Sequence, residues 1–457
     1  MRYRSSSALC SVVALLIGAA SASAQGATAL IGATVLDGSG LDPITDGVVL
    51  VREGMVECVG DRSTCPVPEG AFRVDAAGRW IVPGLVDSHI HWQVWYDADR
   101  RLTLQTAARA GRVYLANGIT TVIDVGGQRW VSRDHREVLN DLMESGAPAP
   151  GMLFSAWVDR GEVDRSGLGA RELTRSLLDS GVSGVKIRNG LTREEIAAIV
   201  QEADGVGVPV YGHTYDTVDG DFLDYTAEAA ALGVDGIFHV LGIPPVPAES
   251  RPPPPEIPVE DWEGWWAAGA DLWNHVTDAG MDALILQMVD HGTWLQPTLV
   301  TEESVVEPGW FRDDPAWRHS PMTREEWTLG WPAFDEEELA IYRSAFRQMK
   351  RFVLRFHESG GMLVAGTDGL PIPGFGVQEE MRLLVDAGIP PAEAILAATR
   401  NAARAWGQEG RFGVLAPGRA ADLVILEADP LADITNTRRI WRVMKSGTLH
   451  DPAELLR

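Results

Sequence analysis

The chain has 457 residues, more than one average domain, and its composition, 45% hydrophobic and 23% charged, is an ordinary globular mixture. A formal net charge of −25 repels phosphate backbones, which argues against nucleic acid as a partner. Beyond the N-terminus no long apolar run occurs, which argues against stable membrane insertion. The first residues differ from the rest. Arg2 and Arg4 precede an apolar run from Cys10 to Ala20, and the small residues Ala22, Ser23 and Ala24 follow. That order is a charged n-region, an h-region too short to span a bilayer, and a cleavage site. Residues 1–24 are therefore expected to be a signal peptide, with Gln25 starting an exported chain, periplasmic or secreted. Cleavage removes two arginines and no acid, taking the net charge to −27, and leaves two cysteines, Cys58 and Cys65. An oxidising compartment permits a disulfide, and the polar, turn-forming segment between them lets the ends meet. A bridge and two free thiols both stay open.

Residues 28–82 read as short strands with turns: Ala29–Leu36, Gly47–Arg52 and Val56–Val59. Ala421–Leu426 and Ile440–Gly447 repeat the style near the C-terminus. Neither group can build a comfortable core alone, so residues 25–82 and 413–457 are expected to combine into one small β-sandwich. Residues 83–412 form a ladder. Apolar strands ending in polar residues recur at Leu85–His91, Thr120–Gly126, Met152–Val158, Gly184–Arg188, Val208–His213 and Gly236–His239, then at Thr293–Leu299 and Met362–Gly366. Helical segments intervene, such as Thr192–Val200 with apolar spacings of three and four. Eight strands in βα alternation predict an α/β fold, a (β/α)8 TIM-type barrel. A doubly wound open sheet is the alternative, weakened because no glycine-rich nucleotide loop follows the first strand. The late part is stretched. Residues 244–258 are proline-rich, and residues 262–331 hold nine of the sixteen tryptophans. Residues 244–331 are expected to act as a lid over the barrel mouth, with Trp262, Trp265 and Trp266 on one helical face. Packing of that face onto the barrel is the plainer alternative.

In a barrel the C-terminal strand ends converge on one mouth, where activity is expected. His89 and His91 end the first strand on one face, since residues i and i+2 of a strand point the same way. Lys186 lies on the fourth strand, His213 and His239 end the fifth and sixth, and Asp368 follows the eighth. Singly, a strand-end histidine is more often hydrogen-bonded than metal-bound, and Asp368 or Lys186 could serve as a cap or an ion-pair partner. Jointly they suit divalent metal. The lysine stands out because the chain has three lysines among 39 basic residues, the other 36 being arginines. A buried lysine of lowered pKa is nucleophilic and can take up carbon dioxide as a carbamate, an anionic two-oxygen ligand.

Pro83-Gly-Leu-Val-Asp-Ser-His-Ile-His91, Gly366-Thr-Asp368, Ala397-Ala-Thr-Arg-Asn401 and Leu415–Leu426 together resemble the amidohydrolase superfamily, in its imidazolonepropionase-like and prolidase-like branch. The resemblance covers nearly all of the mature chain. It implies two divalent metal ions. His89 and His91 would bind the more buried one, completed by Asp368; His213 and His239 would bind the other; carboxylated Lys186 would bridge both. Zinc is the first choice, with manganese, cobalt or iron not excluded by such ligands. The implied reaction is hydrolysis of a small-molecule amide, a dipeptide or N-acyl amino acid, by a metal-activated bridging hydroxide, with Asp368 as general base. Tyr215, two residues beyond His213, is expected to donate to the oxyanion and contact substrate. Arg188, two beyond Lys186, is expected to bind a substrate carboxylate. A packing tyrosine and a surface ion pair are their plainer readings. Hydrolysis of a cyclic amide, lactone or ester is the rival within enzymes, and a non-catalytic exported binding protein is the rival class. The family's frequent Glu-His-Gly after strand six is here Phe238-His239-Val240, and residues 92–97 are unusually aromatic. The natural substrate and the oligomeric state are not specified by the sequence.

Overall fold

Apolar runs with no polar alternation belong to strands buried on both faces, as parallel strands are. The structure, a computed structural model, describes residues 26–40, 42–95, 101–126, 133–188, 190–213, 225–246, 262–307, 318–320, 334–369 and 374–457. Its first strands are β1 (Thr28–Val35), β2 (Ile44–Arg52), β3 (Met55–Gly60), β4 (Phe72–Asp75) and β5 (Trp80–Pro83). Then come β6 (Leu85–Ile90), β7 (Ile119–Asp124), β8 (Gly151–Val158), β9 (Gly184–Ile187), β10 (Val210–Gly212), β11 (Gly236–Phe238) and β12 (Trp294–Gln296). The last are β13 (Leu423–Leu426), β14 (Ile440–Lys445) and β15 (Thr448–His450).

Strands β6 to β12 pair in sequence order, every neighbour parallel. Each residue of β6, β7, β9, β10, β11 and β12 is buried. Helices cover the sheet through their apolar faces. The helix Arg193–Asp204 starts where predicted, because Thr192 caps it and Glu195 reaches back to the Thr192 amide at 2.8 Å. It buries Ile196, Ile199, Val200 and Ala203, a stripe of helical period.

The eighth expected strand, Met362–Gly366, is reduced to a bridge between Leu363 and Leu295. The cause lies in the helix Pro391–Ala397 and the residue after it. The Ala397 carbonyl accepts from Ala365 N–H and the Ala398 carbonyl from Val86 N–H, taking donors a ladder would otherwise use. Even so, Val364 N–H donates to Leu295 O at 2.9 Å and Ser88 N–H to Ala365 O at 3.4 Å. The parallel sheet is thus curled, and its first and last strands both meet this segment.

The two chain ends do combine. Among the described residues they form one mixed sheet, ordered β15-β14-β13-β5-β1-β2-β3 with β4 beside β1, where a sandwich was expected. β13 is buried throughout and pairs antiparallel with both β5 and β14. Cys58 and Cys65 are bonded, their Cα atoms 5.7 Å apart. Asp61 shapes the turn between them, its Oδ1 accepting from Ser63 N at 2.8 Å and Thr64 N at 2.9 Å.

The stretch 244–331 is not a single insert. It contains β12 and the helices Trp262–Trp273, Asp278–Asp290 and Leu299–Val306. Trp273 is buried edge-on against Phe352, and Trp266 stacks on Tyr342, so these two tryptophans pack onto the helix Glu336–Glu358. The side chains of Trp262 and Trp265, residues 247–261, and residues 1–24, where a signal peptide was expected, lie outside the described residues. No helix among the described residues is long and apolar enough to cross a membrane.

Candidate metal centre

The ends of β6, β9, β10 and β11 and the turn at Thr367-Asp368 bring the six predicted ligand residues to one place. Asp368 Oδ1 lies 3.1 Å from His89 Nε2 and 2.9 Å from His91 Nε2. Lys186 Nζ lies 3.4 Å from His89 Nε2. The His239 ring centroid is 5.0 Å from that of His89 and 4.5 Å from that of His213. Ligand atoms of His89, His239 and Asp368 all fall within 4.8 Å of one another. His89 and Lys186 are almost wholly buried, and His213 and His239 are each 7% exposed.

In three of the rings the nitrogen turned away from this centre has a partner. His89 Nδ1 is 2.7 Å from Gln296 Oε1, His239 Nδ1 is 2.8 Å from Thr298 Oγ1, and His91 Nδ1 meets the Gly126 carbonyl. Burial holds His89 down to about 3, with the charge of Lys186 adding to it. Burial also keeps His213 and His239 well below the ordinary histidine value. These three rings are neutral near pH 7, the form that ligates metal. Burial opposes ionisation of Asp368, and only rings carrying a proton on Nε2, at His89 and His91, would hold its carboxyl well below the usual range. The arrangement has a consequence for His89. Its Nδ1 faces a carbonyl oxygen, so Nδ1 carries the proton and Nε2 is a bare lone pair. That lone pair faces a carboxylate oxygen at 3.1 Å and the Lys186 amine at 3.4 Å, so a cation shared by ring and carboxylate would relieve their repulsion.

Two backbone positions at the centre are unusual for their residue types. His239 and Asp368 have φ of 63° and 58°, in the left-handed region that non-glycine residues seldom occupy. Such outliers cluster at functional sites. Asp87 braces both ends of the site: it accepts from Thr367 Oγ1 at 2.8 Å, Thr367 N at 3.2 Å and His89 N at 3.3 Å. Burial raises its carboxyl to about 7. Sequence reasoning gave Asp87 no role, although it shares a strand face with His89, and alternation could have found it. Gln296 also ends an apolar strand in a polar residue, so the rule that selected the histidines could have selected it.

Arg188 is half-buried, its guanidinium 4.4 Å from the Trp157 ring centroid, and its Nε is buried with no hydrogen bond among the described residues. Its charge helps depress His213, which places it on the side of the second histidine pair. Lys186 lies between two aromatic rings, 5.2 Å from that of Phe238 and 5.5 Å from that of Trp157. Tyr215 falls outside the described residues.

The Amidohydrolase family matches this chain over residues 80–449. An imidazolonepropionase of Acidiphilium cryptum is 31% identical over 30% of this chain and 33% of its own length, so the chain aligns with about a third of that relative. A 5-methylthioadenosine/S-adenosylhomocysteine deaminase of Symbiobacterium thermophilum is 26% identical over 87% of this chain and 84% of its own length. Among solved structures, a Xaa-Pro dipeptidase with methionine bound in its active site is similar in fold, with a TM-score of 0.66 and 19% identity over 93% of this chain and all of the other.

Proposed function

The chain belongs to the amidohydrolase family, and from that premise we propose that it is an enzyme that hydrolyses carbon–nitrogen bonds, cleaving the amide bond of a dipeptide or N-acyl amino acid at a centre for two divalent metal ions, zinc first. The observation that carries the metal reading is the His89 Nε2 lone pair set against the Asp368 carboxylate. The donor set fits: neutral imidazole nitrogens, a carboxylate and an amine that can become a carbamate. His89, His91 and Asp368 would hold one ion, His213 and His239 the other, and carboxylated Lys186 both. In the same reading the curled sheet is a (β/α)8 barrel with Met362–Gly366 as its eighth strand.

When bound, the ions supply a water of lowered pKa and polarise the scissile carbonyl. The rest is done by side chains. Asp368, as a carboxylate, would accept the proton of the attacking water and return it to the leaving amine. Arg188, braced on Trp157, offers its guanidinium to the free carboxylate of the substrate. Trp157 and Phe238 line the centre with apolar surface that excludes competing water. The dipeptide reading draws on the fold shared with the Xaa-Pro dipeptidase and on the place of Arg188.

The test compares dipeptides and N-acyl amino acids having free and amidated C-termini, using zinc-loaded protein. Free-carboxylate substrates should be turned over faster, and Arg188→Gln should raise KM more than it lowers kcat. Equal rates for the two series would remove the role of Arg188. Turnover of esters or lactones with no amide cleavage would overturn the substrate class.

A further inference from the structure

Strand β12 carries none of the proposed ligands, yet its end grips two of the histidines. Gln296 is fully buried. Its Nε2 lies 2.7 Å from Ser88 Oγ and 3.4 Å from Ser88 O. The single Ser88 hydroxyl proton goes to the Ala365 carbonyl, so Ser88 Oγ can only accept from the Gln296 amide nitrogen. This orients the amide: nitrogen toward Ser88, oxygen toward His89 Nδ1 at 2.7 Å. One backbone carbonyl therefore dictates, through two side chains, which nitrogen of His89 bears the proton.

Two residues on, Thr298 is buried with φ of 50°, and its Oγ1 lies 2.8 Å from His239 Nδ1. The backbone between them is tied to the same histidine: His239 N donates to Gln296 O and Val240 N to Pro297 O, both at 3.0 Å. Room for this is left by Gly366, where a Cβ would stand 2.7 Å from Gln296 Cδ and 2.8 Å from His89 Cβ.

We infer that Gln296-Pro297-Thr298 is a positioning clamp that sets the ring orientation of one histidine from each metal pair, His89 and His239, and the proton placement of His89. The inference rests on the two-metal reading above. Gln296 and Thr298 are positioning residues, acting through the rings that Nδ1 contacts orient. Losing such a contact weakens metal binding by about 10–100-fold.

The experiment titrates Zn²⁺ into metal-stripped full-length protein against a chromophoric chelator and records the visible spectrum after Co²⁺ loading. Wild type should take up two ions per chain. Gln296→Leu should weaken one ion and Thr298→Val the other, each by about 10–100-fold, with shifted cobalt bands. Valine keeps the β-branching of threonine, so the backbone strain at residue 298 is unchanged. Thr298→Ser keeps the oxygen and should stay within about threefold of wild type, well inside the effect of losing it. Wild-type affinities and unshifted bands in both the leucine and valine variants overturn the clamp while leaving the two-metal reading intact. A wild type binding fewer than two ions overturns that reading and the clamp with it. Should the leucine or valine variant fail to fold, Thr298→Ser decides: a loss of more than about tenfold in it overturns the clamp.

Discussion

A lysine amine and a guanidinium differ in what they can become: the amine can lose its proton and bond to carbon, whereas the guanidinium stays a cation. Lys186 is buried 3.4 Å from His89 Nε2 in a chain that uses arginine almost everywhere else. If it serves as a carbamate, Lys186→Ala should lose metal and at least about a hundredfold in activity, the scale on which one catalytic group is felt. Short carboxylic acids should restore part of both by supplying the missing oxygens, and Lys186→Arg should restore neither. Metal content by elemental analysis and turnover at increasing propionate check this; full activity in the alanine variant would sink the carbamate. Residues of this kind were legible in the sequence because metal-ligating types are rare at strand ends and strand ends converge. Thr298 was not legible. Threonine is a poor guess for a left-handed position, and its contact with His239 depends on how β11 and β12 are tied together. Tyr215 was named from alternation alone, and it lies outside the described residues.

Elements were legible where their pattern was local. Seven parallel strands lie where apolar runs placed them, and the capped helix after β9 begins at its Thr192 cap. The eighth strand failed because its partners are chosen by distant carbonyls at Ala397 and Ala398, which no local pattern reveals. The helices on either side of the site show a second non-local feature. Glu302, on the helix Leu299–Val306, is buried and accepts a hydrogen bond from the Tyr342 hydroxyl on the helix Glu336–Glu358. Burial raises its carboxyl to about 8 from an ordinary 4.5. The folded value lies above the unfolded one, so this group's stabilisation is complete below pH 4.5 and is lost as pH rises toward 8. Glutamine keeps the shape and the acceptor but does not titrate. Glu302→Gln should therefore gain stability relative to wild type between pH 5 and pH 8, by up to roughly 4 kcal/mol at about 1.36 kcal/mol per pKa unit. Urea unfolding of both proteins at the two pH values measures it. A difference that is flat with pH, or that reverses, would show that the carboxyl ionises freely in the fold.

On the scale of the whole molecule, the centre joins the ends of β6, β9, β10 and β11 to the turn after the Leu363 bridge, so occupancy and folding should be linked. Binding to the folded chain alone stabilises it by about 2.7 kcal/mol when free metal exceeds Kd a hundredfold. For a chain of this size that is a rise of a few degrees, roughly, in Tm. Chelator-stripped protein should unfold at lower temperature than zinc-loaded protein, and added zinc should return it. The net charge of −25 would gather divalent cations loosely at the surface, which could imitate this. Such an atmosphere is screened at about 0.3 M salt, so the shift due to the centre must survive there and must not be reproduced by magnesium. The pH dependence separates the two cases further. His89 titrates at about 3 in the fold, and His213 and His239 also lie well below 6.5. Their folded values lie under the unfolded one, so their share of stability is present above pH 6.5 and is lost as pH falls through that value toward 3. Protons and metal compete for the same Nε2 atoms, so acid weakens the loaded form twice, through the fold and through occupancy. The Tm gap between loaded and stripped protein should therefore narrow steadily below pH 6.5. A gap that is absent at neutral pH in salt, or that widens in acid, would place the bound cations on the acidic surface and away from the histidines.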